Sequence, residues 1–175
     1  MKMLLFQLMI GCFFGGWLQT KSTMNPPPKM NYRVYLFLSE GCPMCQGYAG
    51  AINTLATEYM PKGVEFIGVF PNFYATDSAV LSFKKRYDIR FKLQRDPGFQ
   101  LTRKFNAQIT PQVFLTDNNN QILYSGMIDN AYYKAGKRRG VTSDFYLKKA
   151  LELLLDHQPI VIKETQAIGC VIVKN

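Results

Sequence analysis

Two cysteines separated by two residues, in Cys42-Pro43-Met44-Cys45, carry the clearest chemical potential of this chain. Before them runs Tyr32-Arg33-Val34-Tyr35-Leu36-Phe37-Leu38, β-branched and aromatic and of strand length, ending at Ser39-Glu40-Gly41. After them, Tyr48, Ile52, Leu55, Ala56 and Tyr59 recur at helical spacing, and Met60-Pro61 stops the pattern. The pair therefore sits where a strand feeds a helix, with Cys42 at or next to the helix N-terminus. Unpaired N–H groups and the positive end of the helix dipole stabilise a thiolate there, lowering a cysteine pKa from about 8.5 to ~3.5–7.5. Cys45, nearly a turn further on, can close a small disulfide with Cys42 from a more protected position. This arrangement suits thiol–disulfide exchange, in which Cys42 attacks a disulfide and Cys45 resolves the mixed intermediate.

The same spacing also serves half of a zinc site or a static disulfide. A four-ligand zinc site needs two more ligands, for which the chain offers Cys170 and its lone His157. No metal or other cofactor is expected. An attached c-type haem would require histidine directly after Cys45, and Gln46 stands there. Cys170 lies in the apolar stretch Ile168-Gly169-Cys170-Val171-Ile172, where it either stays free and buried or exchanges with the dithiol as a third redox thiol. His157 falls near a helix C-terminus, where the dipole favours a cation.

The elements that position these residues follow one another as strand, helix, strand, helix. Val64 to Phe70 is the second strand, and Asp77 is a plausible N-cap for a helix carrying Val80, Leu81, Phe83 and Tyr87. Asp96-Pro97 starts a further helix through Phe99, Thr102 and Phe105. Gln112 to Thr116 and Gln121 to Ser125 flank Asp117-Asn118-Asn119-Asn120, a turn-rich tetrapeptide suited to a hairpin. Thr142 can cap a last helix from Ser143 to about His157. Such an order specifies an α/β sheet covered on both faces, mostly parallel with an antiparallel edge.

The chain divides into a signal-like segment 1–19, a spacer 20–31, a domain 32–158 and a tail 159–175 that holds Cys170. In the first segment Lys2 precedes an apolar run from Met3 to Leu18, which reads as an export signal. Its 16 residues fall short of the ~20 of a comfortable spanning helix. Met9-Ile10-Gly11-Cys12 resembles a bacterial lipobox and makes Cys12 a candidate for lipidation, with simple cleavage and an uncleaved anchor as the alternatives. Pro26-Pro27-Pro28 makes the spacer short and stiff. The expected location is a bacterial periplasm or cell envelope, with membrane attachment through the N-terminus left open.

From Tyr32 to His157 the chain resembles the thioredoxin superfamily, in particular its exported redoxin and TlpA/ResA-type branch. The resemblance rests on the segment from Tyr35 to Cys45, on an added helix and strand from Asp77 to Leu93, and on Ile109-Thr110-Pro111-Gln112-Val113-Phe114-Leu115. It implies a three-layer α/β/α sandwich whose mixed sheet ends in an antiparallel hairpin. It also implies a cis-proline at Pro111 packed against the dithiol, and a Thr110 backbone offered to an extended substrate segment. The implied activity is thiol–disulfide exchange on protein thiols and disulfides, with the electron donor or acceptor open.

Two positions depart from the pattern. Gly41 stands where many relatives have tryptophan, which should leave the thiol face more open, and Leu36 occupies the place of a buried aspartate in thioredoxin. Glu40 reads as a solvated loop carboxylate or as a partial substitute for that aspartate. Ser39-Glu40-Gly41-Cys42 also fits part of the peroxiredoxin motif, but Tyr35 replaces its proline and no arginine stands near Thr110-Pro111. A third alternative is copper handling or metalloprotein assembly, since Cys42, Met44 and Cys45 together suit Cu(I). The formal charge of +9, with clusters at Lys84-Lys85-Arg86 and Lys137-Arg138-Arg139, comes with no base-reading motif and reads as a solvated basic face rather than a nucleic-acid site.

Overall fold

The structure is a computed structural model and describes residues 31–174. The signal-like segment, Cys12 and nearly all of the spacer lie outside the described residues. A five-stranded sheet in the order β3-β2-β1-β5-β6 forms its centre. Strand β1 (Tyr32–Phe37) lies parallel to β2 (Val64–Phe70) and antiparallel to β5 (Gln112–Asp117). Strand β3 (Lys92–Arg95) extends the parallel side, and β6 (Ile122–Gly126) closes the other side as an antiparallel hairpin with β5. The mixed α/β sandwich and the hairpin through residues 117–120 agree with the sequence reading, but the sheet is divided evenly between parallel and antiparallel pairings rather than mostly parallel.

Alternation along β1 explains why its run is apolar from Val34 to Phe37. Val34, Leu36 and Leu38 face a cluster shared with α1 (Pro43–Tyr59), α2 (Asp77–Arg86) and α4 (Tyr146–Leu155). Tyr35 and Phe37 face the opposite side, where they meet Phe105 and Phe114. Both faces of the strand are thus buried, as period-two side-chain placement under two covering layers requires. Phe105 and Phe114 stack with centroids 5.2 Å apart, in the range of a favourable aromatic pair.

The helix starts differ from expectation. Thr76, not Asp77, caps α2 by accepting from the Ala79 amide at 3.2 Å, and Asp77 becomes its first residue. Helix α3 (Gln100–Lys104) is shorter than the pattern suggests and begins after Phe99, which has φ +53°. Asp96 still does the capping from three residues before Phe99. Its buried carboxylate accepts from the amides of Gln100, Leu101 and Thr102 and from the Thr102 hydroxyl. Helix α4 begins at Tyr146 rather than Ser143, because residues 143 and 144 are tied to Asn130.

Four short strands were not foreseen. Strands β7 (Tyr132–Lys134) and β8 (Lys137–Arg138) make a small hairpin, and Tyr132 stacks on Tyr48 of α1 with centroids 5.2 Å apart. Strand β4 (Ile109–Thr110) pairs antiparallel with β9 (Cys170–Val171) from the C-terminal tail. Among the described residues no helix is long and apolar enough to cross a membrane.

Candidate active site

Cys42 is the N-cap of α1, in extended conformation (φ −84°, ψ 114°), with Pro43 in the first helical turn. Proline suits that position because its missing N–H would have had no intrahelical partner. The Gln46 amide donates to the Cys42 carbonyl at 3.1 Å, which opens the helical ladder. Cys45 comes round almost one turn later and is fully buried, its sulfur accepting from the Ser39 amide at 3.4 Å. Met44 is also buried in the main cluster, so its thioether is committed to packing.

The Thr110–Pro111 peptide is cis, as the resemblance implied. This turn brings the Thr110 carbonyl to 3.3 Å from the Cys42 sulfur, where the Cys42 thiol can donate to it. Thr110 is itself buried. The strand that pairs with it is the chain's own tail: Thr110 lies opposite Cys170 and Ile109 opposite Val171. The Cys170 sulfur sits 2.7 Å from that of Cys42, and Cys42, Cys45 and Cys170 are all free thiols. The open thiol face expected from Gly41 is therefore not observed, and Cys42 retains only 2% exposure. Cys170 itself is half-buried rather than enclosed.

Electrostatics separate the three sulfurs. A hydrogen bond from the Cys45 thiol lowers the pKa of Cys42 to about 5, against an opposing effect of burial. A bond from Cys170 and the first-turn amides of Cys45 and Met44 lower it further, although the amides do not reach full capping geometry. Burial pushes the Cys45 thiol well above the usual range, and its bond to Cys42 and the Cys42 charge add to the shift. Cys170 is pushed up to about 11, first by burial and then by its contact with Cys42. One thiolate beside two protonated thiols is the arrangement of a nucleophile with proton-holding partners.

A family model described as redoxin matches residues 30–132. The chain belongs to the redoxin family. Curated relatives include the thiol-disulfide oxidoreductase ResA of two Bacillus strains, B. thuringiensis subsp. konkukian and B. cereus, each 30% identical over 87 residues. That match covers 50% of this redoxin, which spans about half (49%) of the length of those relatives. Among solved structures, an uncharacterized conserved protein from Geobacillus kaustophilus shares the fold with a TM-score of 0.75 at 23% identity, over 83% of this chain and 78% of that one. StoA from Bacillus subtilis overlaps with a TM-score of 0.51 at 19% identity, over 58% of this chain and 76% of its own. The fold is thioredoxin-like.

The remaining expected residues fall as follows. Leu36, which the resemblance sets where thioredoxin has an aspartate, is fully buried in the main cluster. Glu40 is half-buried rather than freely solvated: its Oε1 accepts from Asn72 Nδ2 at 3.2 Å, and its Oε2 is buried with no hydrogen-bond partner among the described residues. His157 follows α4 at φ +56°. The sequence reading missed Thr165 and Gly169, which hold the tail in place. A glycine next to the third cysteine was the one visible hint of a close approach.

Proposed function

We propose that this redoxin is a thiol–disulfide oxidoreductase that acts on protein disulfides through Cys42 and Cys45 in an exported compartment. The observation that carries the reading is the unequal pair at the start of α1, with Cys42 held as thiolate by Cys45 and the first-turn amides while burial keeps Cys45 protonated. Cys42 attacks one sulfur of a substrate disulfide, forming a mixed disulfide and releasing the other sulfur as a thiolate. Cys45 then attacks the Cys42 sulfur, and its proton passes to the second substrate thiolate as that bond breaks. Two electrons leave the dithiol, and an external dithiol donor restores it. Run backwards, the same steps oxidise a substrate dithiol, and the reduction potential sets the direction. The Thr110 backbone beside Pro111 supplies the edge on which an extended substrate segment pairs. Export is supported by the apolar run after Lys2, and Gly11-Cys12 within it makes lipidation part of the proposal.

The test is reduction of a model protein disulfide by the wild type and two variants. Cys42→Ser abolishes turnover, and Cys45→Ser accumulates a mixed disulfide at Cys42. Turnover retained in Cys42→Ser would overturn the reading.

A further inference from the structure

The tail occupies the edge that a substrate needs. Residues 170–171 already pair antiparallel with Ile109–Thr110, the Thr110 hydroxyl donates to the Cys170 carbonyl at 3.4 Å, and the Ile172 amide donates to the Gln108 carbonyl at 2.8 Å. This is the backbone pairing of an added strand, with a cysteine delivered to the nucleophile. The sulfurs stand 2.7 Å apart, a little beyond the ~2.05 Å of a disulfide bond, so bond formation needs almost no movement of the chain.

Two anchors hold the segment there. Upstream, the Thr165 amide donates to the Ser125 carbonyl, and the Ser125 amide to the Lys163 carbonyl, each at 2.9 Å. The Thr165 hydroxyl accepts from the Met127 amide and shares a hydrogen bond with Tyr124, each at 2.8 Å. Downstream, Ile172 is buried among Tyr35, Phe99 and Phe105. Between the anchors, Gly169 passes so close to Thr110 that a Cβ would stand 2.1 Å from its carbonyl oxygen, so no larger residue fits without moving the backbone. The downstream hold is nevertheless light. Val171 and Val173 are exposed, and a cavity of about 210 Å³ lined by Ser39, Pro71, Asn72, Thr110 and Cys170 lies beside the strand.

We propose that residues 169–172 are a tethered internal substrate, and that Cys42 and Cys170 form a disulfide that holds the site closed until Cys45 or an external thiol opens it. This rests on Cys42 being the redox nucleophile. The Cys170 thiol attacks Cys42 of the Cys42–Cys45 disulfide, a new Cys42–Cys170 bond forms, and the proton of Cys170 goes to the departing Cys45 sulfur. No net oxidation occurs, and attack by Cys45 on Cys42 reverses the step. A protein substrate pairs with Ile109–Thr110 only after the tail has left.

The test uses the full chain with oxidised glutathione as the disulfide and maps peptides without reduction. In Cys45→Ser, Cys42 first takes one glutathione and releases the other. Cys170 then displaces the bound one, and the expected product is a Cys42–Cys170 bridge. The Cys45→Ser/Cys170→Ser double variant should stop at the Cys42 glutathione adduct. Gly169→Ala, which keeps all three thiols, should alkylate at Cys42 faster than wild type, because its Cβ would collide with the Thr110 carbonyl and push the covering strand away. A stable glutathione adduct in Cys45→Ser with no Cys42–Cys170 bridge, or unchanged alkylation in Gly169→Ala, would overturn the inference. Absence of the adduct from the double variant would instead overturn Cys42 as the nucleophile, and the tail reading with it.

Discussion

At the scale of single residues, the proposed function turns on three sulfurs with different proton affinities. A thiolate at Cys42 stabilises the reduced protein relative to the disulfide, so the number of protons taken up on reduction changes with pH. Below about pH 5 both thiols of the pair are protonated on reduction, and above it only Cys45 is. For a two-electron couple, the reduction potential should fall by about 59 mV per pH unit below that point and by about 30 mV per unit above it. Equilibration with glutathione across the acid range checks this, and a single slope through pH 5 would show that Cys42 is not depressed. The sign for stability follows. The contribution of Cys42 to the reduced fold is full above the ordinary thiol range and is lost as pH falls through about 5. The dithiol was legible in the sequence because spacing and a strand-to-helix junction are local properties. Glu40 was not, because its contact with Asn72 joins residues 32 positions apart.

At the scale of elements, α1 and the cis turn are set by different means. The start of α1 follows from Cys42 and Pro43, which sequence reading located. The cis turn is bounded by α3, whose first amides are gathered by Asp96. Asp96→Ala leaves three amides and the buried Thr102 hydroxyl without their acceptor, and should lower stability by about 1–3 kcal/mol. Urea unfolding checks this, and a midpoint unchanged within error would show that the loop re-caps itself. Helix and strand boundaries escaped the sequence where a side chain acts across a gap. Asp96 caps a helix that begins four residues later, and Asn130 holds residues 143 and 144 out of α4. Strands β4 and β9 are two residues each, too short for any periodic signal, and their pairing spans 60 positions between Thr110 and Cys170.

At the scale of the whole molecule, the tail changes what the redoxin fold presents to its surroundings. The sheet and its two covered faces present the dithiol whose proposed role is exchange, and the tail, paired with Ser125 and with Ile109–Thr110, lies over it. The apolar character of Ile168 to Val173 told that the tail docks, but not where, since burial has no address in a sequence. Attachment of the chain belongs to this scale as well. If Cys12 carries a lipid, metabolic labelling with a fatty acid should mark the full-length protein and fail in Cys12→Ala, whereas an unlabelled soluble product starting near Thr20 would point to simple cleavage.

The central claim is that Cys42 is the thiolate and Cys45 its protected partner. Its most direct test is alkylation of the fully reduced chain over a range of pH, with the label assigned to each cysteine by peptide mapping. The account predicts that Cys42 is modified first, with a rate that rises to a plateau around a midpoint of about 5, while Cys45 stays unlabelled in the folded protein. Equal rates at Cys42 and Cys45, or a Cys42 midpoint in the ordinary thiol range, would contradict it.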